Sequence, residues 1–406
     1  MNTLSIALET LNKDIKLSKY ETEGFLWTVA KEGWSCIKNK DNAVLAAQIL
    51  YLGKDGSTPI NSQMKWFTVK TLTEKVLSLT EDFEGFYPMN ASFSSYKEGE
   101  EEYIVCFLRT VNYKVETDGS YTLGSDNSIS SVLWILLLKE TDGILACERK
   151  VRVEGQTRRW QTKNAVFGGE FEDCRFLSKP VYINKTITKW AFLGVRYEED
   201  STVKQYRGYL AFDGKTARFE QTSVLEHKTY KGKNWIPIKH RKNGSMDAVY
   251  RIYPFCIVNI STVLDTKKEC SVKDITCVYA QKDNINRIGR TFCGGSAYVI
   301  LDNRTFTVIH EYASVDNRRL YTNRLVEVNS QYEIVRISHA INFGTESPIE
   351  YVMGLTAINN KTLLVAVGVN DRATEFHTFT LSYINDLLFS VSEYGGVFHQ
   401  HLLTII

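Results

Sequence analysis

The stretch Gly168-Gly169-Glu170-Phe171-Glu172-Asp173-Cys174-Arg175-Phe176 places three carboxylates and one arginine directly after a pair of glycines. The side chains of a strand alternate between its two faces, so Asp173 and Arg175 are predicted to project on one side and Glu172 and Cys174 on the other. An acid and a guanidinium two residues apart on one face indicate a small charged site. The alternative interpretation is an ion pair at a sheet edge.

The composition sets limits on the class of protein. The chain has 406 residues, of which 43% are hydrophobic and 24% charged, enough for one large domain or two ordinary ones. The net charge of +2 does not favour binding to nucleic acid or to an anionic membrane. Aromatic residues make up 12% of the chain, which suits strands and sugar-stacking surfaces equally well.

The sequence predicts a cytoplasmic protein with reduced cysteines. No apolar run approaches the ~20 residues of a membrane helix, and no basic segment followed by an apolar core begins the chain. The eight cysteines include no CxxC pair, and Cys106 and Cys256 lie in apolar runs, where a thiol packs as a small hydrophobe. Nucleotide-, zinc- and calcium-binding motifs are absent from the sequence, so we predict neither a metal nor a cofactor.

The first 82 residues differ in texture from the remainder. Apolar residues recur at helical spacing near the start, and a second apolar run over 43–52 is preceded by Asp41-Asn42 and followed by Gly53. We therefore predict a small helical or mixed cap over residues 1–82, which is also a candidate surface for homo-oligomerisation.

From residue 83 to residue 406 the pattern is that of strands and turns, and the predicted fold class is all-β. Predicted strands include 103–109, 132–138, 190–196 and 206–212, and Asp213-Gly214 and Asn243-Gly244 are typical hairpin turns. Five units of roughly 55–75 residues begin near Phe86, Val166, Trp235, Gly294 and Ile349, which favours a five-bladed β-propeller. A large β-sandwich is the alternative.

In a propeller the innermost strand of each blade lines the central channel, so polar residues in and beside those strands are site candidates. The candidates are Asn90, Arg109, Asn112, Glu172, Asp173, Arg175, Arg207, Lys233, Asn234, Arg251, His310, Tyr321, Arg324, Glu350 and Asp371.

These candidates carry a resemblance. Phe171-Glu172-Asp173-Cys174-Arg175 resembles the Glu-Asp-Pro-Arg signature of the five-bladed β-propeller mannoside phosphorylases and their mannosyltransferase relatives. Lys233-Asn234 followed by Arg251 is similar to the third-blade element of that family, and Gly294-Gly295-Ser296 followed by His310 and Tyr321 to its fourth-blade element. The match spans about residues 85–390, with Cys174 where the family has proline and Ile309 where it has tyrosine.

The resemblance implies a glycosyl-transferring enzyme in which Asp173 is the proton donor to the glycosidic oxygen. It implies that an attacking or departing phosphate, free or in a sugar phosphate or nucleotide sugar, is held by cationic and polar side chains. The predicted anion-binding residues are Arg175, Arg207, Lys233, Arg251, His310 and Arg324. The predicted sugar contacts are Asn90, Arg109, Asn112, Glu172, Asn234, Tyr321 and Asp371.

Two other functions remain open from the residues alone. The first is an inverting hydrolase, which also needs a carboxylate base about 6.5–9.5 Å from the acid. Glu350 and Asp371 are the candidates for that base. Cations outnumber carboxylates among the candidate residues, however, and this favours transfer involving phosphate. A non-catalytic carbohydrate-binding propeller is the third alternative. Arg175 beside Asp173 is expected to lower the pKa of that carboxyl, which opposes a role as acid at neutral pH.

Overall fold

The computed structural model describes residues 69–71, 83–115, 121–123, 128–141, 144–155, 158–161, 166–169, 171–184, 186–198, 202–225, 232–252, 255–263, 271–280, 292–315, 318–338, 340–343 and 349–390. These ranges hold 28 strands and one short helix, so the predicted all-β class is confirmed. Of the predicted cap over 1–82, the described part is the strand β1 (Val69–Thr71), and the predicted helices lie outside the described residues. Within the described ranges, no helix is long and apolar enough to cross a membrane.

The first group of strands is an antiparallel run of four, accompanied by a separate hairpin and by a further pair of short strands. It consists of β2 (Tyr87–Glu98), β3 (Glu101–Val111), β6 (Ser128–Thr141) and β7 (Ile144–Glu154). A separate hairpin is formed by β4 (Lys114–Val115) and β5 (Tyr121–Thr122). Next to β6 lie β8 (Arg158–Gln161) and β9 (Val166–Gly169), of which β9 pairs with β6 in parallel.

The second and third groups are also antiparallel runs, and the last strand of the second pairs in parallel with the end of β7, so the first and second groups share one sheet. The second consists of β10 (Glu172–Phe176), β11 (Tyr182–Ile183), β12 (Thr188–Tyr197), β13 (Val203–Phe212) and β14 (Ala217–Val224). The third consists of β15 (Ile236–His240), β16 (Met246–Arg251), β17 (Cys256–Val263) and β18 (Ser271–Ala280). The second group therefore begins at β10 and not near Val166, because Val166 lies in β9, which pairs with the first group.

The last two groups complete the described chain. The fourth consists of β19 (Phe292–Gly294), β20 (Val299–Leu301), β21 (Arg304–Val315), β22 (Arg318–Val328), β23 (Ile334–Ser338) and β24 (Ala340–Asn342). The fifth consists of β25 (Glu350–Asn359), β26 (Thr362–Val369) and β27 (Ala373–Thr380), followed by α1 (Leu381–Leu387) and β28 (Leu388–Ser390). Here β1 pairs with β24 and β28 with β23.

Apolar cores between the groups explain why several strands are buried on both faces. Residues 132–138 in β6, predicted to be a buried strand, are all buried. Phe107 of the first group stacks on Phe176 of the second with ring centroids 3.7 Å apart, and Phe93 packs against Phe376 of the fifth. Further clusters join the second group to the third and the fourth to the fifth.

Glycines mark the places where the inner strands of neighbouring groups approach most closely. A Cβ atom on Gly354 would lie 2.7 Å from the Ala91 carbonyl oxygen, and one on Gly294 would lie 2.6 Å from that of Asn234. The contacts run from β2 to β10, β10 to β15, β16 to β19, β20 to β25 and β25 back to β2. The groups thus surround a shared centre in the predicted order; that they are the five blades of a propeller stays a prediction.

Candidate functional site

The strand β10 is irregular where the sequence predicts regular alternation. Its pairing with β12 shifts in register between Glu172 and Arg175, and Asp173 adopts a left-handed backbone with φ of +48°. As a result, the side chains of Glu172 and Asp173 both reach Arg109. The prediction that Glu172 projects away from Asp173 is therefore wrong, because a bulge resets the alternation on which it was based.

Arg109 of β3 forms ion pairs with both carboxylates. Its guanidinium is buried, with Nη2 lying 2.8 Å from Glu172 Oε1 and Nη1 lying 3.5 Å from Asp173 Oδ1. Nη2 also donates to the Tyr113 hydroxyl at 3.3 Å. Asp371, in the turn between β26 and β27, interacts electrostatically with both Arg109 and Glu172. Two carboxyl groups thus contact this guanidinium, and a third interacts with it electrostatically.

The same local irregularity recurs at the inner positions of other groups. Asn90 adopts φ of +41° at a register shift in β2, and its Nδ2 donates to Asp173 Oδ1 at 2.9 Å. Asn234, just before β15, adopts φ of +69°. A left-handed non-glycine residue costs about 1–3 kcal/mol and persists where its surroundings demand it. Three such residues around one centre favour a functional site.

Arg175 connects several groups of strands. Its Nε donates to the Gly295 carbonyl at 2.7 Å and its Nη1 to the Asp173 carbonyl at 3.2 Å. Its Nη2 donates to Asn234 Oδ1 at 3.1 Å and to the Tyr351 hydroxyl. Four of its five N–H donors therefore bind neutral acceptors of the protein. In this structure the buried Arg175 supplies positive charge, while its donors serve the framework.

An aromatic wall lies beside Arg175. The His310 ring stacks on Tyr321 with centroids 5.7 Å apart and meets the Tyr351 ring edge-on at 4.8 Å. Burial, followed by the charges of Arg175 and Lys233, lowers the pKa of His310 to about 3. The imidazole donates to the Gly294 carbonyl, and its Nδ1 has no partner among the described residues. Neutral His310 therefore offers a hydrogen-bond acceptor, which suits a hydroxyl better than a phosphate oxygen.

Lys233 is the exposed cation of the cluster. It lies just ahead of Asn234 and is open to solvent. Its positive charge acts on Glu172, Asp173 and His310. An exposed ammonium group can bind an anion from solvent without breaking a buried contact.

The two neighbouring carboxyls have pKa values shifted in opposite directions. Burial raises the pKa of Glu172 above its usual range, against the opposing charge of Arg109. Burial would also raise that of Asp173, but Arg109, Lys233 and Arg175, with the hydrogen bond from Asn90, hold its pKa below its usual range. The predicted lowering is confirmed, although Arg109 contributes more to it than Arg175 does.

Three of the remaining candidates have contacts that serve the framework. The Asn112 Oδ1 accepts from the Ser130 backbone N at 2.7 Å, which holds the start of β6. The buried Arg207 donates to the carbonyls of Gly244 at 2.9 Å and Ile260 at 3.3 Å, joining the second group to the third. The buried Arg324 donates to the Ser338 carbonyl at 3.1 Å.

Arg251 and Glu350 also occupy other surroundings. Arg251 is exposed at the end of β16, where its guanidinium lies 4.8 Å from the centre of the Tyr250 ring. Glu350 is fully buried, and its Oε2 accepts from the Phe343 backbone N at 3.1 Å. A carboxylate sealed from solvent and bonded to backbone is poorly suited to activating water. Of the two candidate bases, Asp371 is the one that lies near Arg109.

Sequence reasoning missed two tyrosines of the cluster. Tyr351 directly follows Glu350 in β25, so alternation places the two side chains on opposite faces. Glu350 bonds to the Phe343 backbone, and the Tyr351 hydroxyl lies against Arg175. Tyr113 lies four residues after Arg109, beyond the end of β3. Alternation in β25 allows only one of Glu350 and Tyr351 to face Arg175, and the sequence does not indicate which. In the described part of the chain, no group of three or more His, Cys, Asp or Glu side chains is arranged to hold a metal ion.

Comparisons with known proteins give structural similarity alone. No protein-family model matches the chain, and no curated protein matches it. A β-1,2-mannobiose phosphorylase from Listeria innocua is 14% identical with a TM-score of 0.43, over 77% of this chain and 96% of that one. A GDP-Man-dependent mannosyltransferase from Leishmania mexicana is 12% identical with a TM-score of 0.45, over 84% and 97%. An endo-arabinanase from Bacillus licheniformis is 10% identical with a TM-score of 0.33, over 77% and 96%. These values do not place the chain in the family of any of the three.

Proposed function

We propose that the protein is a carbohydrate-active enzyme on a five-bladed propeller that transfers a glycosyl unit to or from phosphate, with inversion and with Asp173 as the proton donor. The observation that carries the proposal is the pairing of Glu172 and Asp173 on Arg109, with Lys233 open to solvent beside them. Carboxyl groups supply the proton that a leaving sugar oxygen needs. Cations supply the site for the anion that attacks or leaves.

The neighbouring side chains suit a sugar. Tyr321 and Tyr351 provide aromatic rings near the carboxyls, and sugar rings stack on such surfaces. Asn90 Oδ1 and His310 Nδ1 are buried acceptors without a partner among the described residues. Burying an unpaired acceptor costs about 1–3 kcal/mol, so a ligand hydroxyl that donates to it removes that cost.

The ionised state of Asp173 requires an explanation within this proposal. The carboxyl of Asp173 keeps 15% of its side-chain exposure, and the cation Lys233 lowers its pKa. A bound sugar would exclude the remaining water, and a bound phosphate would offset the charge of Lys233. Both effects raise the pKa of a carboxyl. Substrate binding is thus expected to convert Asp173 into a better acid.

The proposal is tested with purified protein, a panel of sugar 1-phosphates and nucleotide sugars, and acceptor sugars. In the reverse direction, oligosaccharides are offered together with inorganic phosphate. We expect a new glycoside or a sugar phosphate, and its loss by a factor of about 10² or more in Asp173→Asn. Asp274→Asn, at an exposed position of β18, is the matched control and keeps activity. Absence of product with every donor, or full activity of Asp173→Asn, overturns the proposal.

An inverting hydrolase is the second candidate, favoured by the presence of a third carboxyl near Arg109. Asp371 would be its base, with Asp173 as its acid. Release of free sugar that does not depend on phosphate, and that Asp371→Asn abolishes, would replace transfer by hydrolysis. Glycan binding without turnover under any donor would instead indicate a non-catalytic binding protein. A cytoplasmic location stays a prediction.

A further inference from the structure

The side chains of Glu172 and Asp173 share one buried guanidinium. They contact the two terminal nitrogens of Arg109 at 2.8 Å and 3.5 Å, and their own exposures are 18% and 15%. Two carboxylates that share a partly desolvated site repel each other, and one of them then retains a proton at a pH where an isolated carboxyl has lost it. The pair is therefore expected to titrate as a unit that keeps one proton.

The donors around the two carboxyls favour ionisation of Asp173 before Glu172. Asp173 accepts from Asn90 Nδ2 at 2.9 Å as well as from Arg109, and Arg175 lies two residues along the same strand. Glu172 forms an ion pair with Arg109 at 2.8 Å. Donors and cations stabilise the ionised form, so the better supplied Asp173 ionises first. The raised pKa of Glu172 and the lowered pKa of Asp173 agree with this order.

Charged and titratable groups reach the pair from each neighbouring element. They are Arg109 from β3, Arg175 from β10, Lys233 from the segment before β15, His310 from β21, Tyr351 from β25 and Asp371 from the turn after β26. His310 is neutral and Tyr351 keeps its proton, because burial raises the pKa of its hydroxyl. If Glu172 also carries a proton, three cations face two carboxylates, which leaves a positive charge for an anionic substrate.

We propose that Glu172 stores the proton of the pair in the resting protein and passes it to Asp173 when substrate binds. The O–H bond of Glu172 breaks as an Asp173 oxygen takes the proton. Asp173 then donates that proton to the leaving oxygen while the bond from that oxygen to the anomeric carbon breaks and an oxygen of the attacking phosphate bonds to the same carbon. Glu172 acts through Asp173 and is therefore a positioning residue in this sense. The second step rests on the function proposed above, but the resting position of the proton does not.

Infrared difference spectroscopy of the ligand-free protein locates the proton. The spectrum of the wild type minus that of Glu172→Gln is expected to contain the carbonyl stretch of a protonated carboxyl near neutral pH. The difference spectrum for Glu220→Gln is expected to lack it, because Lys189 and Arg218 outweigh burial there and lower the pKa of Glu220. In Asp173→Asn the band persists and titrates at lower pH, since the negative charge that raised the proton affinity of Glu172 is gone.

Two results overturn the inference. They are the absence of a protonated-carboxyl band from the Glu172→Gln difference spectrum and, in Asp173→Asn, a band that titrates at the same pH as in the wild type or at a higher pH. If circular dichroism shows that Glu172→Gln is unfolded, wild-type protein with carbon-13-labelled glutamate carboxyls is titrated with pH instead. The criterion is again whether a glutamate carboxyl is protonated near neutral pH.

Turnover, once detected, tests the second step. Glu172→Gln should move the alkaline limb of the kcat/KM profile to lower pH by about one unit or more, because Asp173 alone gives up its proton earlier. An unmoved limb contradicts the transfer from Glu172. If Glu172 is neutral but the protein turns over no glycoside, the resting position of the proton is supported and the proposed function is refuted. The two claims can therefore fail separately.

Discussion

Replacing Arg109 by methionine tests whether its guanidinium stabilises the neighbouring Glu172 and Asp173 in the folded protein. The substitution keeps an apolar chain of similar reach but leaves Glu172 and Asp173 beside each other without their shared cation. Removing one partner of a buried ion pair costs about 3–5 kcal/mol. Because both carboxyls keep some exposure, we expect the lower end, about 3 kcal/mol at neutral pH.

The loss should depend on pH in a defined direction. In the wild type, the lowered pKa of Asp173 gives stability above the pKa of the unfolded chain, and that stability is lost as the pH falls through the folded pKa. In Arg109→Met, loss of the guanidinium raises the pKa of both carboxyls relative to the wild type. The variant is then penalised most at neutral pH and recovers as acid protonates the pair. The difference in unfolding free energy between the two proteins should therefore shrink from neutral to acid pH.

Urea unfolding followed by tryptophan fluorescence at neutral and at acid pH measures this difference. Arg152→Met is the matched control, because Arg152 pairs with Glu84 at 2.5 Å with both side chains about half exposed. Exposed pairs contribute about 0–1 kcal/mol, and the control should show little dependence on pH. An Arg109→Met loss no larger than that of the control, or equal at both pH values, refutes the reasoning.

Three further outcomes follow from the packing. Gly295→Ala should strongly lower the melting temperature, because the added Cβ would lie 2.4 Å from a backbone oxygen. Gly99→Ala is the comparison: there is open space around its Cβ, and the φ of +63° should cost about 1–2 kcal/mol of stability. Arg207→Met should lower the urea midpoint by removing two hydrogen bonds to buried carbonyls, and an unchanged midpoint would contradict its framework role. A thiol-specific disulfide reagent should modify the exposed Cys277 before Cys256. The reason is that burial, followed by the contact with Cys277, raises the pKa of Cys256 to about 12. Equal rates of modification at the two thiols would contradict this.

The sequence is a good guide to the strands and to which residues are inner. Runs such as 132–138 are apolar enough to predict burial, and the Asp213-Gly214 and Asn243-Gly244 turns lie between paired strands as predicted. Polar residues at strand starts, among them Asn90 and Asp173, do meet. Their meeting is readable because repeated β units place equivalent positions around one centre.

The bulge at Asp173 was not readable in the same way. A regular strand and a bulged one have the same alternating sequence here, and the choice depends on pairing with β12 and on Asn90 in another group of strands. The position of Arg109 is a similar case, because it lies 64 residues from Asp173 in sequence. Several arginines looked equivalent as anion-binding candidates. Burial and carbonyl partners, which depend on the folded packing, distinguish Arg207 and Arg175 from an exposed cation.

The choice between transfer and hydrolysis depends on what Lys233 and Asp371 do on either side of the carboxyl pair. An attacking phosphate is itself a nucleophile and needs a cation, whereas an attacking water needs a base. Lys233 is exposed and acts on both carboxyls, so it meets the first requirement without rearrangement. Asp371 is the candidate for the second, and its described interaction with the cluster is an electrostatic one with Arg109 and Glu172. The electrostatics therefore favour an anionic co-substrate, and a proton stored on Glu172 strengthens that preference by leaving the cluster with a positive excess.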